Sequence, residues 1–192
     1  MKVSSADAAR LFDGRRLTIA RQLAGLRKSD LARQVAKTPT AIASYELRRK
    51  RPAASTVAEL CMALSVEPSF FLATASSASD GPSVPTPHFR SLRSTPQRVR
   101  DRASAYVELA NDVVLAVERY VEMPAIDIPH CPLSDVTDKQ AALEAARALR
   151  PAWRIPSGPA PHLVRTAEHH GVIVIFSPED AACVDAYSVE TN

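Results

Sequence analysis

Between Ser29 and Leu47 the chain reads SDLARQVAKTPTAIASYEL, and this stretch restricts the fold more than any other. Two apolar stripes of helical period lie within it: Leu31, Ala32 and Val35 in the first half, Ile42 and Tyr45 in the second. Ser29 is placed to cap the first helix. Thr38 is placed to cap the second, with Pro39 at the first helical position, where a missing N–H costs nothing. Only Ala36 and Lys37 separate the two patterns, so the helices must turn sharply. Ala32 is small where they would cross, and Ile42 would lock the second helix to a core.

Further helical patterns flank the pair. Leu17, Ala20 and Leu23 form one stripe, STVAELCMALSV (55–66) a second, and PSFFL (68–72) a short third. The segment ATASSASDGPSVPTP that follows, residues 73–87, is rich in Ala, Ser and Pro with almost no large apolar residue, the composition of a linker. The expected architecture is therefore mainly α: a five-helix helix-turn-helix domain over 1–72, a linker over 73–87, and a small α+β domain over 88–192.

In that rear part, Thr95 and Pro96 would open a long helix whose stripe is Val99, Ala103, Val107, Ala110, Val113, Val114, Val117 and Val121, stopped by the prolines of MPAIDIP. TDKQ (137–140) has capping-box spacing ahead of AALEAARALR. A third helix is expected from His162 to His169, closed by Gly171. VIVIF (172–176) reads as a buried strand, with DAYSV (185–189) as its possible neighbour.

Charge is divided unevenly along the chain. Residues 1–72 hold 13 Lys and Arg against 6 Asp and Glu, whereas residues 106–192 hold 6 against 13. A basic front and an acidic rear point to an N-terminal polyanion partner that the rear does not share. No apolar run of about 18 residues is present, so no membrane partner is expected. The N-terminus lacks the apolar core of a secretory signal, which points to the cytoplasm. Cys61, Cys131 and Cys183 are scattered with no CxxC spacing, against disulfide staples or a zinc site, and Cys61 reads as a core residue. No Gly-rich phosphate loop or nucleophilic triad can be assembled. No enzyme activity, metal or cofactor is expected.

LRKSDLARQVAKTPTAIASYELRRKRP followed by TVAELCMALSVEPSFF resembles the XRE (Cro/repressor-like) family of helix-turn-helix domains over Arg15 to Leu72. In a helix-turn-helix the second helix lies in the major groove. On that geometry Pro39, Thr40, Ala43 and Ser44 are the candidates for base edges, with Thr40 and Ser44 able to hydrogen-bond bases. Lys28, Ser29 and Thr38 are candidate phosphate anchors, as are Arg48, Arg49, Lys50 and Arg51 just beyond the helix. Two positions depart from the family, which usually has Gly at the turn and after the Tyr-Glu pair. Here they hold Ala36 and Arg48. Alanine suits the turn if its φ stays negative; the arginine must either go left-handed or lengthen the helix.

FRSLRSTPQRVRDR (89–102) carries Arg90, Arg93, Arg98, Arg100 and Arg102 at the mouth of the long helix. It is either a second DNA contact or a solvated helix start paired with the acidic rear. The rear as a whole is similar to the region that joins XRE domains to ImmA/IrrE-type metallopeptidases, but the H-E-x-x-H motif of those enzymes is absent. Of the five His, the adjacent His169 and His170 read as surface or helix-end residues. The resemblance implies a DNA-binding transcriptional repressor, akin to immunity repressors of temperate phages, with double-stranded DNA as partner. The rear would serve self-association, a protein partner or DNA. The alternative is an antitoxin-like or adaptor protein whose acidic rear binds a protein; a peptidase ranks last.

Overall fold

The first helix arises where the sequence pattern is weakest. Ser4 and Asp7 form a capping box: the Asp7 N–H donates to the Ser4 hydroxyl (3.2 Å) and the Ser4 N–H to the Asp7 carboxylate (3.3 Å), to which the Ser4 hydroxyl also donates (2.6 Å). That hydroxyl donor holds the Asp7 carboxyl below the usual carboxylate range. The resulting helix, α1 (Ser5–Arg10), was not among the expected elements, yet Ala8 on it is fully buried in the core.

The computed structural model describes residues 2–73, 88–89, 96–129, 139–176 and 186–190. It divides into two compact units, Met1–Arg119 with Ser177–Asn192, and Tyr120–Phe176. In the first, α2 (Gly14–Leu23), α3 (Lys28–Gln34), α4 (Pro39–Glu46), α5 (Ala54–Leu64) and a 3-10 turn (Pro68–Phe71) follow α1. All five expected patterns between 13 and 72 are present, the last as a 3-10 turn. Leu17, Leu31, Ile42, Val57, Leu60 and Phe71 are the fully buried centre. The ends of the domain are tied by the Asp13 N–H donating to the Phe71 carbonyl (2.9 Å) and by stacking of Phe12 on Phe71 (5.3 Å between centroids). Cys61 is half-buried against this core, and burial pushes its thiol pKa up.

The long helix is α6 (Gln97–Val117), which begins after Pro96 and packs against α2. Arg15 pairs with Glu108 (2.7 Å) and Arg16 with Asp112. Arg16 also donates to the Phe70 carbonyl and lies over the Phe70 ring, 4.2 Å from its centroid. This corrects two expectations. Composition assigned 88–192 to one rear domain, but α6 groups with the front because these ion pairs join it to α2. Ala103 of the expected stripe is buried, and so is Ala105 outside it, but Val113 and Val117 of the stripe are exposed. Small alanines admit a close approach, and the carboxylates on α6 answer the arginines on α2.

The expected α+β rear is also corrected. The only strands among the described residues are β1 (His88–Phe89) and β2 (Tyr187–Ser188), an antiparallel pair with His88 opposite Ser188. Residues 172–176 form no strand, and Ile175 and Phe176 are exposed. A strand requires a ladder partner, and the segment expected to supply it pairs with His88–Phe89 instead.

The second unit holds α7 (Lys139–Ala152) and α8 (Leu163–His169). Trp153 stacks on His170 (4.6 Å, 4° between planes) and donates its indole N–H to the Asp127 carbonyl (2.8 Å). His170 Nδ1 lies 3.0 Å from the Asp127 carboxylate, so this helix-end histidine packs within the unit. The expected linker over 73–87, beyond Ala73, lies outside the described residues, as do Thr95, Thr137 and Asp185 at the start of DAYSV.

Candidate nucleic-acid interface

The connection between α3 and α4 is built as the spacing requires, with one exception in the dihedrals. The Lys37 N–H donates to the Ala32 carbonyl (2.9 Å), and the Ala41 N–H donates to the Thr38 hydroxyl (3.1 Å), fixing the start of α4. Ala36 between them has φ +49°, so the condition of a negative φ is not met. A left-handed alanine is strained by about 1–2 kcal/mol. Ala36→Gly is accordingly expected to stabilise the protein by roughly 1 kcal/mol, read as a raised denaturation midpoint in urea with an unchanged slope.

The α3 start also differs in detail. Ser29 is not its cap: the helix begins at Lys28, and the Asp30 carboxylate accepts from the Arg27 N–H (3.1 Å). Ser29 lies inside the first turn with an exposed side chain.

On α4, Ile42 and Tyr45 are buried, as their spacing predicts. Pro39 and Thr40 are exposed, while Ala43 and Ser44 are half-buried on the outer side. The Ser44 hydroxyl donates to the Thr40 carbonyl (2.8 Å). With its proton engaged, that hydroxyl faces a partner as an acceptor.

Past the helix, Arg48 takes the left-handed option at φ +56°. Its guanidinium pairs with Asp13, 2.8 Å from Oδ1, the same oxygen that accepts the Arg15 N–H at the start of α2. Arginine thus stands in the usual glycine position with a contact glycine lacks. That contact ties the Arg48 guanidinium to its own domain while half of its side chain stays exposed; Arg49, Lys50 and Arg51 are exposed as well.

Glu46 anchors the C-terminal end of α4. Its side chain is 5% exposed and holds Arg21 of α2 (2.6 Å) and Lys28 of α3 (3.3 Å). Arg21, 7% exposed, also donates to the Leu26 carbonyl (2.9 Å). This clamp joins three helices, and sequence reasoning missed it because its partners are far apart in the chain and carry no local pattern.

Of the rear arginines, Arg98 reaches the front: it lies 3.7 Å from Asp30 of α3. Arg100 bonds Gln97 (2.6 Å), and Arg102 lies over the Tyr106 ring. Arg90 and Arg93 lie outside the described residues. Arg27, exposed immediately before Lys28, is a basic group beside the site that the motif did not single out.

A family model described as helix-turn-helix matches residues 17–71, the span from the middle of α2 through the 3-10 turn. Residues 17–71 are an XRE-type helix-turn-helix domain. A domain of this kind marks a DNA-binding transcription regulator. No curated protein and no solved structure matches the chain significantly. Nothing in the comparisons supports the likeness of the rear to the peptidase-associated region. Among the described residues no helix is long and apolar enough to cross a membrane, and no cluster of His, Cys, Asp or Glu is arranged to hold a metal.

Proposed function

We propose that the chain is a sequence-specific transcriptional repressor that acts by occupying an operator. The observation that carries this reading is the exposed outer side of α4 in a matched helix-turn-helix, with Ile42 and Tyr45 fixing the helix from behind. Thr40 and Ser44 hydrogen-bond base edges, while Ala43 and Pro39 offer apolar contact to thymine methyls. Lys28, Ser29 and Thr38 meet phosphates on one side, Arg49, Lys50 and Arg51 on the other. Arg48 contributes there only by leaving Asp13.

Footprint mapping across a genome tests the reading. The expected result is a small set of sites with near-palindromic half-sites about one helical turn apart, as a two-fold dimer demands. Thr40→Ala and Ser44→Ala are each expected to cost about 1–3 kcal/mol of discrimination at one base position. Uniform binding without sequence preference overturns the proposal. A role in phage immunity is its narrowest form, resting on the resemblance alone, and requires that the mapped sites lie in prophage control regions.

One observation favours a second role for the rear. The unit Tyr120–Phe176 exposes several large apolar side chains, Ile126, Ile128, Leu163, Ile175 and Phe176, of the kind a protein partner would cover. A monodisperse monomer with no co-purifying protein overturns that role.

A further inference from the structure

The geometry points to α6 as a working part of the DNA interface, with Arg98 as a phosphate contact; this rests on the helix-turn-helix reading above. Three helices enclose a groove of about 480 Å³, lined by Arg21, Arg27, Lys28, Ser29, Arg98 and Asp101 among others. In a helix-turn-helix the first helix crosses the phosphate backbone. Here that helix is α3, and its leading residues Lys28 and Ser29 share the groove with Arg98. The side chain of Arg98 is 56% exposed, and it stands 3.7 Å from Asp30 in the first turn of α3. It is therefore carried to the end of α3 where backbone phosphates run.

The two carboxylates at this end are already engaged. Asp30 accepts from the Arg27 N–H and faces Arg98, and Asp101 accepts from the Gln97 amide (2.7 Å). Arg27 extends outward as an exposed cation beside Arg98, while the Lys28 side chain is 45% exposed and its ammonium pairs with Glu46 (3.3 Å). Arg21 is held inward by Glu46 and supports the wall rather than the ligand. The partner this surface fits is the sugar-phosphate backbone of duplex DNA, contacted without regard to sequence.

What holds Arg98 there lies down the same helix. Glu108 and Asp112 pair with Arg15 and Arg16 on α2, seating α6 so that its N-terminal turn reaches α3. Glu108 and Asp112 act as positioning residues: they face α2, and their effect on DNA is exerted through α6. This gives a test whose sign is diagnostic. Removing two negative charges by Glu108→Gln with Asp112→Asn tightens binding to a polyanion if charge alone matters. If the ion pairs position Arg98, the same double variant weakens it.

The experiment measures binding of the full chain to a mixed-sequence DNA duplex about three helical turns long, across a series of salt concentrations. Arg98→Ala is expected to weaken binding several-fold at low salt and to lower the slope of log K against log salt by about 0.9, the loss of one phosphate contact. The double variant is expected to move both quantities in the same direction. Arg119→Ala, an exposed arginine just beyond α6, is expected to leave the slope unchanged. Circular dichroism of each variant confirms that the fold is kept. An unchanged slope in Arg98→Ala overturns the phosphate contact, and tighter binding by the double variant overturns the positioning role. A wild-type chain that fails to bind the duplex at any salt concentration overturns the DNA-binding reading itself.

Discussion

Gly14→Ala is expected to destabilise the N-terminal unit by about 3 kcal/mol or more, although it adds a single methyl group at the start of a helix. Alanine is normally the better residue within a helix by roughly 1 kcal/mol, so propensity alone predicts the opposite sign. The geometry decides. A Cβ at position 14 lies 2.2 Å from the Tyr45 carbonyl oxygen and 2.5 Å from that of Glu46. Both obstacles are backbone atoms at the end of α4, which no side-chain rotation can clear. Relief requires α2 and α4 to separate, and that pulls on Arg21–Glu46 and on Arg48–Asp13 together. The measurement is urea denaturation of wild type and variant, with the midpoint falling at a similar slope. Because α4 is displaced, DNA affinity falls more steeply with temperature than in wild type. A midpoint equal to or above wild type shows that the close approach carries no such constraint.

The same contact shows why parts of this fold were legible and others were not. Local pattern was enough to place α3 and α4, though not the cap of α3 or the left-handed Ala36 between them: Leu31, Ala32 and Val35, then Ile42 and Tyr45, have the spacing of buried faces, and Thr38-Pro39 marks the start of α4. Those features are determined within a few residues. Gly14 and Glu46 are not of that kind, since what they meet is chosen by how α2 crosses α4. α1 was missed because its six residues depend on one Ser4–Asp7 box and on a core assembled elsewhere. The long helix was found, but it stops at Val117, and only part of its stripe is buried: Ala103 is, Val113 and Val117 are not. Its valines form the stronger apolar stripe, yet the face used is the one where Ala105 is small and Glu108 and Asp112 meet Arg15 and Arg16. Periodicity counts apolar residues and is blind to charges that find partners across a contact. For VIVIF the failure is different: β-branched composition describes a willingness to be extended, while a strand exists only when a neighbour supplies its hydrogen bonds. In the candidate site the exposed positions of α4 followed from helix geometry. The pairing of Arg48 with Asp13 did not, because Asp13 lies 35 residues away.

The clamp at Glu46 supplies the second large effect. Glu46→Ala leaves Arg21 buried with its carboxylate partner gone and only the Leu26 carbonyl to receive its N–H groups. Breaking one side of a buried pair in this way costs about 3–5 kcal/mol, mostly from the stranded charge and not from the lost attraction. Lys28 is 45% exposed at its side chain and returns to water at little cost, so the penalty falls on Arg21. A double variant separates the two contributions. Arg21→Met with Glu46→Leu removes both charges and keeps much of the volume; it is expected to recover most of the stability that Glu46→Ala loses. Denaturation midpoints of Arg21→Met, Glu46→Leu and the double variant form the cycle. If Arg21→Met, Glu46→Leu is as unstable as Glu46→Ala, the clamp stabilises through its attraction and the stranded-charge account fails. The DNA-binding readout then tests a second consequence. Glu46 holds both α2 and Lys28 against the end of α4, so an apolar replacement restores the fold while freeing the Lys28 ammonium. Specific binding returns with the fold, and nonspecific binding to duplex rises above wild type, because a lysine that was paired is now available to phosphate.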